Sequence, residues 1–263
     1  MPPDAFFIAD GDRFVPTEFA RGPWSADALH AGPPSALLGR AVEAVEPLGE
    51  MLVSRFALEV LRPIPCRPLS IRAEVERPGR RVQLVRAALC DAGTGEEVAL
   101  ASAWRIRPEE GLAGEVNLPA TELPGPDDCP TSGEYDPGWA PNYFHAMEWR
   151  TAGGDWGRPG PTAMWMRMRI PLVDGEEISP LSRVLAAADS GNGISWELPM
   201  TEVLFVNVDL TVHLARMPEG EWVCLDAITI PERSGIGIAD TALYDERGPV
   251  GRAAQTLLVD ERR

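Results

Sequence analysis

One carboxylate stands apart from the other acidic residues of this chain. Asp189 lies in residues 179–193, SPLSRVLAAADSGNG, behind three alanines and ahead of a glycine-rich exit. A carboxylate held among small apolar residues is placed to act as a general base on water, a role worth roughly 10²–10⁴-fold in rate. Other chemistries have less to stand on. The sequence has no lysine, which excludes a Schiff base and a Walker A loop. It has no GxSxG elbow, which disfavours a serine hydrolase of the α/β type. His30, His145 and His213 lie far apart and form no HExxH-like spacing, so neither a metal nor a cofactor is expected. Cys66, Cys90, Cys129 and Cys224 form no CxxC, which fits reduced thiols in the cytoplasm better than a zinc site or a disulfide frame.

Bulk properties narrow the field further. The chain has 263 residues, 44% of them hydrophobic, enough for one large domain or two small ones. Its formal net charge of −16 argues against a nucleic-acid binder, which needs a positive footprint. A small phosphate-bearing ligand held by local arginines stays open. Arg80, Arg81, Arg158 and Arg233 fall in predicted turns, either solvated or facing such phosphates. No apolar run approaches the roughly 18 residues that span a bilayer. The start, MPPDAFFIADGDRF, has no basic n-region and no long apolar stretch, so a secretory signal is not expected.

The elements that must position Asp189 follow from periodicity. Ser179 suits an N-cap and Pro180 a first helical turn, and Leu181, Val184, Leu185 and Ala188 form one apolar face. An earlier helix is predicted in HAGPPSALLGRAVEAV, where Pro33 and Pro34 suit the first turn and Pro47 with Gly49 closes the segment. Before it, Gly11-Asp12 between Phe7 and Phe14 predicts a hairpin. After it, residues 51–106 alternate apolar and polar between tight turns, which predicts an antiparallel meander. Residues 108–142 are acidic and rich in Pro and Gly and read as a linker. Then the order repeats: strands from YFHAMEWRTA and TAMWMRMRIPL, the Asp189 helix, and strands from EVLFVNVDLTVHLA to PVGRAAQTLLVD. In the first two, Trp149, Trp165, Met164, Met166 and Met168 form a stripe that reads as core and interface, or as a pocket for an apolar chain. The repetition reads as an internal duplication, in which a second copy covers the open sheet edge of the first.

The motifs HAGPPSALLGRAV, FALEVLRPIP, LAAADSGNG, VNVDLTVHLARMPEGEW and YDERGPVGRAAQTLLV resemble the acyl-CoA thioesterase II family over nearly the whole chain. The resemblance implies an α+β double hot-dog fold, two repeats each with a long helix wrapped by a curved antiparallel sheet. The repeats would be 1–107 and 143–263, joined by the linker 108–142, with the site in the second. It implies an acyl-CoA substrate, a role in lipid metabolism, a cytoplasmic enzyme, and a homodimer or higher homo-oligomer. Carried over position by position, the family's catalytic Asp, Thr and Gln fall on Asp189, Asn207 and Gln255, with Asn207 departing from Thr. Asn207 and Gln255 would hold the water that Asp189 activates, and a backbone N–H near the helix or its glycine-rich exit would polarise the thioester oxygen. Asp209 and Thr211 are secondary candidates, since they share a face with Asn207 on a regular strand. The family's Gly-Gln at the first helix start is Pro33-Pro34 here, which implies a first half that keeps structure rather than chemistry. Two rivals are weighed beside hydrolysis. An enoyl-thioester hydratase needs a His soon after the helix Asp, and none comes before His213. A non-catalytic acyl-thioester-binding or assembly module fits the Asn at position 207.

Overall fold

The computed structural model describes residues 4–47, 49–109, 111, 121–133 and 137–262. The predicted hairpin is present as β1 (Phe7–Asp10) and β2 (Arg13–Pro16), with Gly11 at its turn in the left-handed region, φ +64°. Helix α1 (Gly32–Ala44) carries its two prolines at the start, where a missing N–H costs no helical bond. The meander follows as β3 (Leu52–Val60), β4 (Leu69–Arg77), β5 (Val82–Asp91) and β6 (Glu97–Ile106).

The second half opens with a single helical turn, α2 (Tyr143–Ala146), then β7 (Met147–Gly153) and β8 (Thr162–Met168). The YFHA stretch expected to extend the strand is helical because the Asn142 side chain accepts the Phe144 N–H at 2.9 Å and caps the turn. Helix α3 (Pro180–Ala188) is capped by Ser179, as its sequence predicts. A short α4 (Gly191–Ile194) follows, then β9 (Val203–Asn207), β10 (Asp209–Leu214), β11 (Val223–Pro231), β12 (Ile236–Asp245) and β13 (Gly248–Glu261). The expectation of one long helix in each repeat holds less well here. The second helix ends after 9 residues, because the chain turns at Asp189 before α4 begins.

The strands form one antiparallel sheet in the order β1-β2-β4-β5-β6-β3-β10-β13-β12-β11-β8-β7, with β9 paired to β13. The two halves meet at the β3–β10 seam, where Phe56 lies opposite Val212 and Arg55 opposite His213. Both long helices pack on the inner face, and residues such as Leu37, Leu38, Leu181 and Leu185 share a core that runs through both halves. Bare backbone sets the distance between the helices. A Cβ on Gly32 would lie 2.3 Å from the Ala186 carbonyl oxygen, and one on Gly39 would lie 2.4 Å from Leu185 Cδ1. A larger residue at Gly32 would force α1 and α3 apart, whereas one at Gly39 would make the Leu185 side chain move.

The stretch read as a linker lies partly outside the described residues. Its described part is largely exposed but anchored at a few points. Leu123 and Cys129 pack with Trp165 and Trp222, and Trp139 donates to the Gly22 carbonyl at 3.1 Å. The Trp and Met stripe divides in the same way: Met164 and Met166 enter the main core, and Trp165 joins this smaller cluster.

Candidate active site

Asp189 is the C-cap of α3 and is 3% exposed. A carboxylate at that end of a helix meets the negative pole of the helix dipole, so it needs donors to be held there. Two side chains supply them, and a third group lies close by. Asn207 Nδ2 donates to Oδ1 at 2.8 Å. Gln255 Nε2 donates to the Asp189 carbonyl oxygen at 3.0 Å and approaches Oδ1 at 3.5 Å. His30 Nδ1 lies 3.0 Å from Oδ2.

The sheet supplies the first two. Asn207 closes β9 opposite the buried Leu257 of β13, and Gln255 lies two residues earlier on the same inward face. Gln255 also accepts the Asn192 N–H through Oε1 at 3.1 Å, so its carboxamide fastens the α3–α4 corner to β13. That contact requires a glycine beside it. A Cβ on Gly191 would lie 2.6 Å from Thr241 Oγ1 and 3.0 Å from Gln255 Oε1. The structure therefore brings Asp189, Asn207 and Gln255 together, with both amides aimed at Asp189 itself.

The secondary candidates need correcting. The strand is not regular between Asn207 and Asp209: β9 ends and β10 begins around Val208. Asn207 Nδ2 also donates to the Asp209 carbonyl at 3.1 Å. Beyond this break Leu210 and Val212 turn inward, while Asp209 and Thr211 turn to the outer face. There Asp209 Oδ1 accepts the Thr256 N–H at 2.6 Å. Neither residue shares a face with Asn207.

His30 is the residue that sequence reasoning passed over. It comes from the first half, two residues before α1, and is the residue of that half that reaches Asp189. The Gly32 N–H donates to the same Nδ1 at 3.1 Å. The imidazole stacks on Tyr143, with centroids 3.8 Å apart and planes 10° apart. The Tyr143 hydroxyl donates to the Ala186 carbonyl at 2.7 Å and lies 3.1 Å from Ser190 Oγ. Burial pushes the Tyr143 phenol far above its ordinary range; the Ser190 hydrogen bond opposes this and the Asp189 charge adds to it. Tyr143 is thus a fixed neutral donor rather than a proton carrier.

Above these groups opens a cavity of about 420 Å³, within the usual range for a small-molecule site. Its wall is mostly apolar, with Trp24, Leu29, Phe144, Trp149, Ile194 and Leu204 among its lining, and His30, Asp189 and Asn207 supply polar groups. Trp149 alone of the Trp and Met stripe reaches it. Phe144, Trp149 and Trp156 stack as one layer, with Trp149 and Trp156 centroids 5.7 Å apart and planes 8° apart. Arg62 is the arginine in the lining, and it is paired with Glu96. Arg80, Arg81, Arg158 and Arg233 are not in it. Among the described residues no group of three or more His, Cys, Asp or Glu could hold a metal, and no helix is long and apolar enough to cross a membrane.

A helix pair wrapped by antiparallel strands, with an acid at the end of one helix beside an apolar cavity, has the architecture of a hot-dog protein. Sequence comparison makes this specific. A family model for the acyl-CoA thioesterase N-terminal domain matches residues 20–106, and one for the C-terminal domain matches 126–259. The chain belongs to the acyl-CoA thioesterase II family. Solved structures agree on the fold. An acyl-CoA thioesterase II from Mycobacterium marinum is 18% identical, with 96% of this chain and 94% of that one covered and a TM-score of 0.66. A hot-dog protein of unknown function from Alicyclobacillus acidocaldarius is 19% identical, with 98% and 97% covered and a TM-score of 0.71. A provisionally assigned thioesterase II from Thermobifida fusca is 15% identical, with 99% of both chains covered and a TM-score of 0.75. No curated protein matches the sequence.

Proposed function

We propose that the chain hydrolyses an acyl-CoA thioester with a water activated by the charge of Asp189. The observation that carries this reading is a buried carboxylate, bonded to Asn207 and facing His30, at the wall of an apolar cavity. The acyl group would fill the cavity and bring the thioester carbonyl beside Asp189. Asn207, in the place of the family's Thr, would hold the carboxylate through Nδ2 and offer Oδ1 to the water. Gln255 would act as a positioning residue, since its carboxamide is engaged with Asp189 and Asn192.

The test is thiol release from a panel of acyl-CoAs, short to long and aryl, with Asp189→Asn as the control. The variant is expected to lose about 10²–10⁴-fold in kcat while its melting temperature stays close to that of the parent. Release at an unchanged rate in the variant would overturn the role of Asp189. The second reading, a non-catalytic acyl-thioester-binding or assembly module, draws on Asn207, whose Nδ2 is committed to Asp189 and the Asp209 carbonyl. Binding without turnover across the panel would favour it.

The same reading divides the chain into repeats 1–107 and 143–263 joined by 108–142. It places the enzyme in the cytoplasm, in lipid metabolism, which the four free thiols support. It makes the enzyme a homodimer or higher homo-oligomer. Support for the assembly comes from an exposed apolar strip on the outer sheet face, where Ile230 lies opposite Ile238 and Ile236 opposite Leu258.

A further inference from the structure

We propose that Met200 sets the length of acyl chain the enzyme accepts, as a movable stop between the cavity beside Asp189 and a second cavity behind it; this rests on the thioesterase reading above. The second cavity, of about 630 Å³, has Trp156, Trp196 and Pro199 among its apolar lining. The two lie back to back. Trp149 lines the first and Trp156 the second, and their indoles stack with centroids 5.7 Å apart. Among the described residues Met200 is the one common to both linings.

The aromatic part of this partition is fixed. Trp149 Nε1 donates to the Phe144 carbonyl at 2.9 Å, and Trp156 Nε1 donates to the Gly193 carbonyl at 3.2 Å. Trp196 Nε1 in turn donates to the Trp156 carbonyl at 2.8 Å. Met200 is held differently. Its backbone is pinned, since Arg262 Nη1 donates to its carbonyl at 2.6 Å and the Val203 N–H donates to the Pro199 carbonyl at 2.9 Å. Its side chain is half-buried and unbranched. Three rotatable bonds let a methionine repack around a new neighbour at small cost. The wall between the cavities therefore has one member able to yield.

The direction of the acyl chain follows from burial. The exposed members of the first cavity's wall, Arg62, Pro63, Val208 and Leu258, mark its mouth. Phe144 and Trp149 are buried and form its inner wall. The bulky, charged CoA portion stays at the mouth, so the acyl tail runs inward to the wall that the second cavity shares. A short tail ends there. A longer one must displace Met200, beyond which Trp156, Trp196 and Pro199 offer further apolar surface. The gain beyond the stop is smaller, because Asp155, Gly157 and Thr201 leave that cavity open to water.

The experiment measures kcat/KM for thiol release by the full-length protein over straight-chain saturated acyl-CoAs, from butanoyl to octadecanoyl. In the parent the value should rise about fourfold per added methylene up to a limiting length and then level off. Met200→Ala removes the stop and should carry the rise to longer chains. Met200→Phe puts a stiffer ring in the same place and should end the rise at shorter ones. Both changes should fall mainly in KM, since the tail is held alike before and during the reaction. The same limiting length in all three proteins, or a loss equal at every length, would overturn the role of Met200 and leave the thioesterase reading standing. No thiol release by the parent from any chain would overturn both.

Discussion

The C-terminal ends of α1 and α3 are solved in opposite ways. At α1 a buried arginine, Arg105, donates to the Val45 carbonyl at 2.6 Å and the Val42 carbonyl at 3.3 Å, and to Gln83 Oε1 at 2.9 Å. A cation there agrees with the helix dipole and closes the end. Burial pushes the guanidinium pKa down, and among the described residues Arg105 has no ion pair. At α3 the same kind of helix end carries Asp189, which disagrees with the dipole and is held by amides beside a histidine. The first arrangement satisfies carbonyls and leaves nothing to react. The second keeps a charge beside a cavity.

Asp245 shows that burial of an acid alone is not the difference. It is almost fully buried like Asp189, yet it is saturated: Arg216 approaches both its oxygens, and the Glu219 and Arg247 N–H groups donate at 2.8 and 2.9 Å. Desolvation would raise its pKa, but these donors together outweigh it and hold the carboxyl below its usual range. Asp189 has amide donors where Asp245 has Arg216, and it lies at the cavity wall.

The largest effect that would break this comparison is the loss of about 10²–10⁴-fold in kcat expected for Asp189→Asn, read against an unchanged melting curve. Arg105→Met should do the reverse. Leaving the Val45 carbonyl and Gln83 without their donor should cost about 1–3 kcal/mol in denaturant unfolding, with kcat per folded molecule intact. A catalytic defect in Arg105→Met would erase the contrast between the two ends.

A further effect concerns pH. Asp245 has a folded pKa below its unfolded one. Its contribution is therefore fully present above the ordinary carboxylate pKa of about 3.9 and is lost as pH falls through the lower folded value. Asp245→Asn should destabilise the chain by about 2–3 kcal/mol at neutral pH, and that gap should close on acidification. Unfolding curves from pH 7 to pH 3 read this directly; a gap that stays constant would refute it.

Much of the scaffold was legible because its signals are local. Alternating residues gave the strands of the meander, Pro33-Pro34 and Ser179-Pro180 gave both helix starts, and Gly11-Asp12 gave the first hairpin. Asp189, Asn207 and Gln255 came from resemblance, and the sheet register places them together. The misses are where local patterns mislead. The irregularity at Val208 reverses the faces of Asp209 and Thr211 without breaking the apolar alternation of VLFVNVDLTVHL. His30 stands 159 residues before Asp189, and no periodicity links them. The signal lay in the first helix start, where a His precedes a glycine small enough to let α1 touch Ala186.

The pairing of Arg62 with Glu96 at the cavity wall has a kinetic consequence. Coenzyme A is polyanionic and approaches a chain of net charge −16, and the arginine at the cavity is already neutralised. Long-range forces then oppose the encounter, and affinity must come from short-range contact with the acyl group. Added salt screens the repulsion over about 8 Å at physiological strength. Raising ionic strength should therefore speed capture and increase kcat/KM, the reverse of what an enzyme with an open basic funnel would show.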